Sequence, residues 1–87
     1  MTKRQCKLIK NLFTVFMISD FCISYNSITF ISGFLEFSYN GNNFNSFISY
    51  FYSIMSQVYN VDITIERFIT ALSTYYGNAK IKELLLK

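Results

Sequence analysis

At 87 residues, with two cysteines and no histidine, the chain is sized for one hydrophobic core and is too poor in soft ligands for a structural zinc site. Its 52% hydrophobic and 20% aromatic content is high, and ten Phe with seven Tyr exceed what a monomer of this size is expected to hide, which assigns some of them to an interface. The net charge of +3 is modest but lopsided: Lys3, Arg4, Lys7 and Lys10 crowd one end, Lys80, Lys82 and Lys87 the other, and only Arg67 lies between.

The residues Lys3 to about Phe16 place Leu8, Ile9, Leu12, Phe13 and Phe16 at helical spacing, with Lys3, Lys7 and Lys10 outside, and predict helix one. The mixed segment Ile18 to Asn26 reads as turns. Ile28, Ile31, Phe34, Leu35 and Ser38 then recur at helical spacing and predict helix two, although Ile28-Thr29-Phe30-Ile31 is also strand-like. The run Tyr39-Asn40-Gly41-Asn42-Asn43 is the strongest turn signal, because Gly and Asn tolerate positive φ.

Helix three is expected at about 44–58, burying Phe47, Phe51, Ile54, Met55 and Val58. After the break at Tyr59-Asn60-Val61-Asp62, helix four is expected at about 62–76, with Asp62 as N-cap and Gly77-Asn78 as a C-cap. A last helix, Ala79 to Leu86, closes the domain. The expected fold is therefore all-α, a single domain over residues 1–87 built as a small bundle of about five to six helices, with helices three and four forming a helix-turn-helix.

Leu12 to Phe34 is long enough to span a bilayer, but Asp20 and many Ser, Thr and Asn residues interrupt it. No small-residue cleavage site follows the apolar run Leu12 to Ile18, so the location expected is the cytoplasm. Cys6 and Cys22 read as small buried hydrophobes. With no His, five scattered acids and no Gly-rich phosphate loop, no base and nucleophile pair can be nominated, and neither an enzyme nor a cofactor is expected. Asp62 and Glu66 lie one turn apart, but N-cap and first-turn roles account for both.

Helix four carries the functional question. Ile65, Ile69, Leu72 and Tyr76 form a seam expected to face inward, leaving Thr64, Arg67, Ala71 and Thr74 opposite, with Glu66, Thr70 and Ser73 beside them. Small polar residues with one Arg can enter a major groove, and Arg is the residue type that binds guanine edges bidentately. A solvated helix face is the alternative.

At these residues a family resemblance appears. Asn45-Ser46-Phe47-Ile48, Tyr52, Met55, Tyr59-Asn60, Ile65-Glu66-Arg67 and Ile69 resemble the DNA-binding effector half of the stage-zero sporulation response regulators, which start endospore formation in Firmicutes. That family has a glycine-serine-isoleucine run, a phenylalanine-asparagine turn and a valine-glutamate-arginine-alanine-isoleucine recognition helix. Phe34-Leu35, Phe37 and Tyr39-Asn40 are similar to its preceding helix, and Gly77-Asn78 to its glycine-asparagine turn. With one deletion near Val61, the likeness extends over most of the chain, chiefly after Ser27. It implies an all-helical domain of about six helices that binds DNA through helix four, commonly as adjacent copies on tandem sites. The chain departs from the family at Thr64, Thr70 and Ala71, where the recognition helix is arginine-rich, and with helix one expected to begin at Lys3 the family's receiver domain and its phosphorylation control are not expected.

The resulting expectation is a small sequence-specific regulator binding double-stranded DNA, from a mobile element or a low-GC spore former, acting as a homodimer or as adjacent copies. Arg67 would contact a base, Thr64 and Thr70 bases or phosphates, and Lys80 and Lys82 phosphates, with Glu66, Ala71 and Thr74 on the same surface and the N-terminal lysines as a further clamp. The alternative is a protein-interaction module that has lost DNA reading, with Tyr50, Phe51, Tyr52 and Tyr75 lining the interface.

Overall fold

The computed structural model describes residues 1–86; Lys87, one of the C-terminal basic group, lies outside them. The element order is α1 (Lys3–Val15), β1 (Phe21–Ile23), β2 (Ser27–Ser32), β3 (Leu35–Asn40), α2 (Phe44–Val58), α3 (Val61–Leu72) and α4 (Asn78–Leu85). The fold is thus α+β, with four helices and a three-stranded antiparallel sheet among the described residues, and the expectation of an all-α bundle of five to six helices is overturned.

The correction centres on the segment read as helix two. Ile28 and Phe30 point into the core while Thr29 and Ile31 alternate outward, which is a period of two and not of 3.6. Gly33 and Phe34 form a two-residue hairpin loop, with Gly33 at φ 65° and Phe34 outside the positive-φ region, the φ pattern of a type II′ turn. The sheet runs β1-β2-β3, and its register pairs Phe21 with Phe30, Phe30 with Phe37 and Ile28 with Tyr39. These apolar residues share the inner face. Cys22, Thr29, Ile31, Glu36 and Ser38 share the outer one, so a single face is buried, as in most antiparallel sheets.

The remaining boundaries follow from capping. The Thr2 side chain and Gln5 form a reciprocal capping box at the start of α1. Asn43 Oδ1 accepts from the Ser46 N–H to open α2, and Asn60 Oδ1 accepts from the Ile63 N–H at 2.8 Å to open α3. The N-cap is therefore Asn60, and Asp62 sits in the first turn, where its charge suits the helix dipole. Helix α3 ends at Leu72, short of the expected 76. Gly77 serves as N-cap of α4 and not as a C-cap, and the Ser73–Tyr76 segment bridges the two helices.

The core lies where α1, the sheet, α2 and α3 meet, and it is aromatic. Phe51 is its hub, with ring centroids 5.2–5.8 Å from Phe13, Phe16, Phe30, Phe47 and Phe68. Most of these pairs are tilted or edge-to-face, the arrangement the ring quadrupole favours. Burying each such side chain contributes roughly 1.5–3 kcal/mol. Seven of the ten Phe are buried, Phe21 and Phe37 are half-buried, and only Phe34 is exposed. The aromatic excess that composition assigned to an interface is instead mostly interior, because the sheet supplies an inner face that a helical hairpin would lack.

Candidate nucleic-acid interface

Helices α2 and α3 are joined by only Tyr59 and Asn60, and their junction is locked from within. The Thr64 hydroxyl donates to the Asn60 carbonyl at 2.8 Å and also approaches the Met55 carbonyl at 3.3 Å, tying the first turn of α3 to the last turn of α2. Thr64 is 0% exposed as a result. A threonine can occupy such a core position because its hydroxyl finds backbone acceptors.

This contact sets the rotation of α3. Thr64, Phe68, Ala71 and Leu72 are its buried residues, whereas Ile65, Ile69 and Tyr76, expected on the inward seam, are only partly buried. Thr64 and Ala71 have no surface to present to a groove. Thr70 and Glu66 are exposed, and the Thr70 hydroxyl donates back to the Glu66 carbonyl at 3.0 Å. The solvent face of α3 is therefore Asp62, Glu66, Thr70 and Ser73, which carries two acids and no cation. Next to phosphates such a face is repulsive.

Arg67 is turned toward α1. Its Nη1 donates to the Val15 carbonyl at 2.7 Å, and its guanidinium carbon lies 4.8 Å from the Tyr59 ring centroid and 5.9 Å from that of Phe16. The cation sits at the negative end of the α1 dipole and between two rings, which accounts for an Arg here without any ligand.

Positive surface is found instead on α1. Lys3, Lys7 and Lys10 are exposed at spacings of four and three, so they form one stripe along the helix, with Arg4 on its flank. The placement opposes helix stability: cations in the first turns face the positive dipole end, no acid lies in the first turn, and Lys3 and Lys7 are a like-charge pair one turn apart. An anionic partner would relieve all three penalties.

Beside this stripe, α1 and the Ser73–Tyr76 segment enclose two shallow recesses. Arg4, Lys7, Leu8, Asn11, Thr74 and Tyr75 line one, and Thr2, Lys3, Arg4, Gln5, Tyr75 and Tyr76 the other. The wall between them is the Arg4–Tyr75 pair. The guanidinium lies 4.2 Å from the Tyr75 ring centroid, and its Nη1 donates to the Tyr75 hydroxyl. Among the described residues no carboxylate lines either recess, and Thr74, expected at the site, does line one.

Lys80 and Lys82 are exposed on α4. Of the residues expected to meet DNA, the structure thus leaves Glu66, Thr70, Thr74, Lys80 and Lys82 at the surface, buries Thr64 and Ala71, and ties Arg67 to α1. Tyr75 was expected only in a protein interface and not beside DNA, and Asn11 was not legible as a site residue. Their only signal is proximity to the α1 cations, which requires knowing that α3 ends at Leu72.

A third concavity, on the outer face of the sheet, is lined by Asp20, Cys22, Thr29, Ile31 and Glu36 among others. No group of three or more His, Cys, Asp or Glu side chains among the described residues could hold a metal ion, and no helix among them is long and apolar enough to cross a membrane. Comparison with protein-family models, curated proteins and solved structures gave no match.

Proposed function

We propose that the protein is a small DNA-binding protein that meets the phosphate backbone with the basic face of α1, in a binding and not a catalytic role. The observation that carries this reading is the stripe of Lys3, Lys7 and Lys10, flanked by Arg4 and set against the α1 dipole. Lys80 and Lys82 are candidates for further phosphate contacts. The resemblance of the α2–α3 segment to sporulation-regulator effector domains adds support for a DNA partner. That support is confined to α2 and α3, since residues 21–40 form a sheet here.

Base reading through α3 has little to work with: its outward face offers Glu66 and Thr70, and Arg67 is engaged elsewhere. The reading is accordingly one of affinity with weak sequence discrimination. An aromatic-lined protein interface has also lost most of its material. Phe51 is fully buried, Tyr50 donates its hydroxyl to the Ser38 carbonyl, and Tyr52 packs edge-on against Phe68.

The test is fluorescence anisotropy of a labelled duplex with the whole protein at several salt concentrations. Affinity is expected to fall linearly with salt on logarithmic axes, and Lys3→Gln with Lys7→Gln and Lys10→Gln to reduce that slope by about 0.9 per lost phosphate contact. An unaltered slope in the triple variant, or no binding at low salt, would refute the assignment.

A further inference from the structure

We propose that the paired recesses around Arg4 and Tyr75 are a subsite for one unstacked nucleotide, its phosphate held by Arg4 and Lys7 and its base laid against Tyr75, so that single-stranded or locally opened DNA binds more tightly than intact duplex. The proposal rests on the DNA reading above.

Three observations lead to it. Tyr75 keeps 45% of its surface exposed, and while Tyr25 and Phe34 are more exposed at the turns of the sheet, Tyr75 is the exposed ring that lies beside the α1 cations. The ring is held in place: Arg4 lies over one face of it and bonds its hydroxyl, and the Tyr76 ring centroid lies 4.8 Å away. A platform fixed beforehand loses little side-chain entropy when a base stacks on it. Finally, the recesses combine cations able to bind a phosphate with the Asn11 amide and the Thr74 hydroxyl, groups able to bond a base edge or a sugar, and no carboxylate among the described residues lines them.

A uniform duplex does not satisfy this arrangement. Its phosphates can meet the lysine stripe, but its bases are stacked on one another and cannot offer a face to Tyr75. An opened strand supplies both groups together, the combination by which single strands are held without sequence preference: backbone contacts to cations and base stacking on aromatic rings. The guanidinium of Arg4 is planar as well, and its outer face can extend the stack.

Labelled oligothymidine and a GC-rich duplex of equal length are titrated with the full protein at one low salt concentration. Oligothymidine should bind roughly tenfold tighter, the scale of one base–aromatic stack. Tyr75→Leu should remove that advantage by weakening oligothymidine about tenfold more than duplex, whereas Tyr75→Phe, which keeps the ring and loses only the hydroxyl, should retain it. Arg4→Gln gives a second reading should the Leu variant fail to fold by circular dichroism, and it should weaken oligothymidine more than duplex. Equal affinity for the two nucleic acids, or a Tyr75→Leu variant with its preference intact, overturns the subsite while leaving duplex binding in place. Failure to bind either overturns the DNA reading itself. Stronger capture by phosphatidylserine-containing vesicles than by oligothymidine overturns the subsite in favour of a lipid headgroup.

Discussion

Arg67 in α3 and Val15 at the end of α1 are joined across 52 positions of sequence by a hydrogen bond of 2.7 Å from guanidinium to carbonyl. It completes the capping of α1. The Leu12 carbonyl accepts from the Phe16 N–H, that of Phe13 from Ile18, and that of Thr14 from Met17, which leaves Val15 as the one carbonyl of the last turn that the local chain does not reach. The Met17 and Ile18 bonds make a Schellman motif, and Ile18 is buried as the motif's apolar contact requires. A residue that sequence pattern nominated for base contact is thereby a clamp between the two helices that pack most extensively on each other.

Arg67→Ala should therefore act on stability. Loss of a charged hydrogen bond and of the stack on Tyr59 is expected to cost about 2 kcal/mol, read as a lower urea midpoint with an unchanged slope. Arg67→Lys should recover less than half of that, because an ammonium cannot lie flat on the ring while bonding the carbonyl. Duplex affinity of the folded Ala variant should be unchanged. A large loss of affinity without loss of stability would return Arg67 to the DNA surface.

Met17 occupies the C′ position with φ 59°, the left-handed region that glycine adopts freely. Its side chain is exposed, so substitution removes little packing. Met17→Gly is expected to raise stability by about 0.5–1 kcal/mol, the relief of backbone strain exceeding the added freedom of the unfolded chain. Met17→Val should lower it, since a branched Cβ worsens the same strain. Thermal melting of the three proteins orders them Gly, Met, Val from most to least stable; the reverse order would mean that the Met17 side chain makes a compensating contact.

Much of the helical part was legible, and the reason differs from element to element. The spacing of Phe47, Phe51 and Met55 gives α2 its span because those side chains all meet one core, and Asn42-Asn43 marks its start because Asn43 caps it. The sheet was missed because Ile28, Ile31, Phe34 and Leu35 fall by chance at helical intervals. The decisive signals were the alternation of Ile28 and Phe30 and the Gly-X pair that turns a two-residue hairpin. On α3 the rotation was misread because Phe68 was left out of the seam and Thr64 was taken as polar surface. No periodicity reveals that a threonine hydroxyl will bond the Asn60 and Met55 carbonyls, since that depends on how close α2 lies.

The hairpin tip and the core hub should respond oppositely to loss of an aromatic ring. Phe34 is fully exposed at the turn, so Phe34→Ser is expected to change stability by less than about 0.5 kcal/mol. Phe51 touches five other rings and is fully buried, and Phe51→Ala should cost about 3–5 kcal/mol, a large part of what a domain this small possesses. Urea titration separates the two. A destabilising Phe34→Ser would show that the ring is covered in solution, and self-association measured by light scattering would then identify whether a second copy covers it.

The rotation of α3 can be tested without DNA. Thr64→Arg puts an unpaired charge where the structure has a buried hydroxyl and should prevent folding or lower stability by several kcal/mol, whereas Thr70→Arg, about 1.7 turns further along on the solvent face, should leave stability within about 0.5 kcal/mol. Thr64→Val keeps the shape and removes only the hydroxyl. Because the Met55 and Asn60 carbonyls also accept from the Tyr59 and Thr64 backbone N–H groups, neither is left without a partner, and the cost should be near 1 kcal/mol. If Thr64→Arg folds as stably as Thr70→Arg, then position 64 reaches solvent, α3 is turned as the periodicity of Ile65, Ile69 and Leu72 suggested, and its small polar face is again available to a major groove.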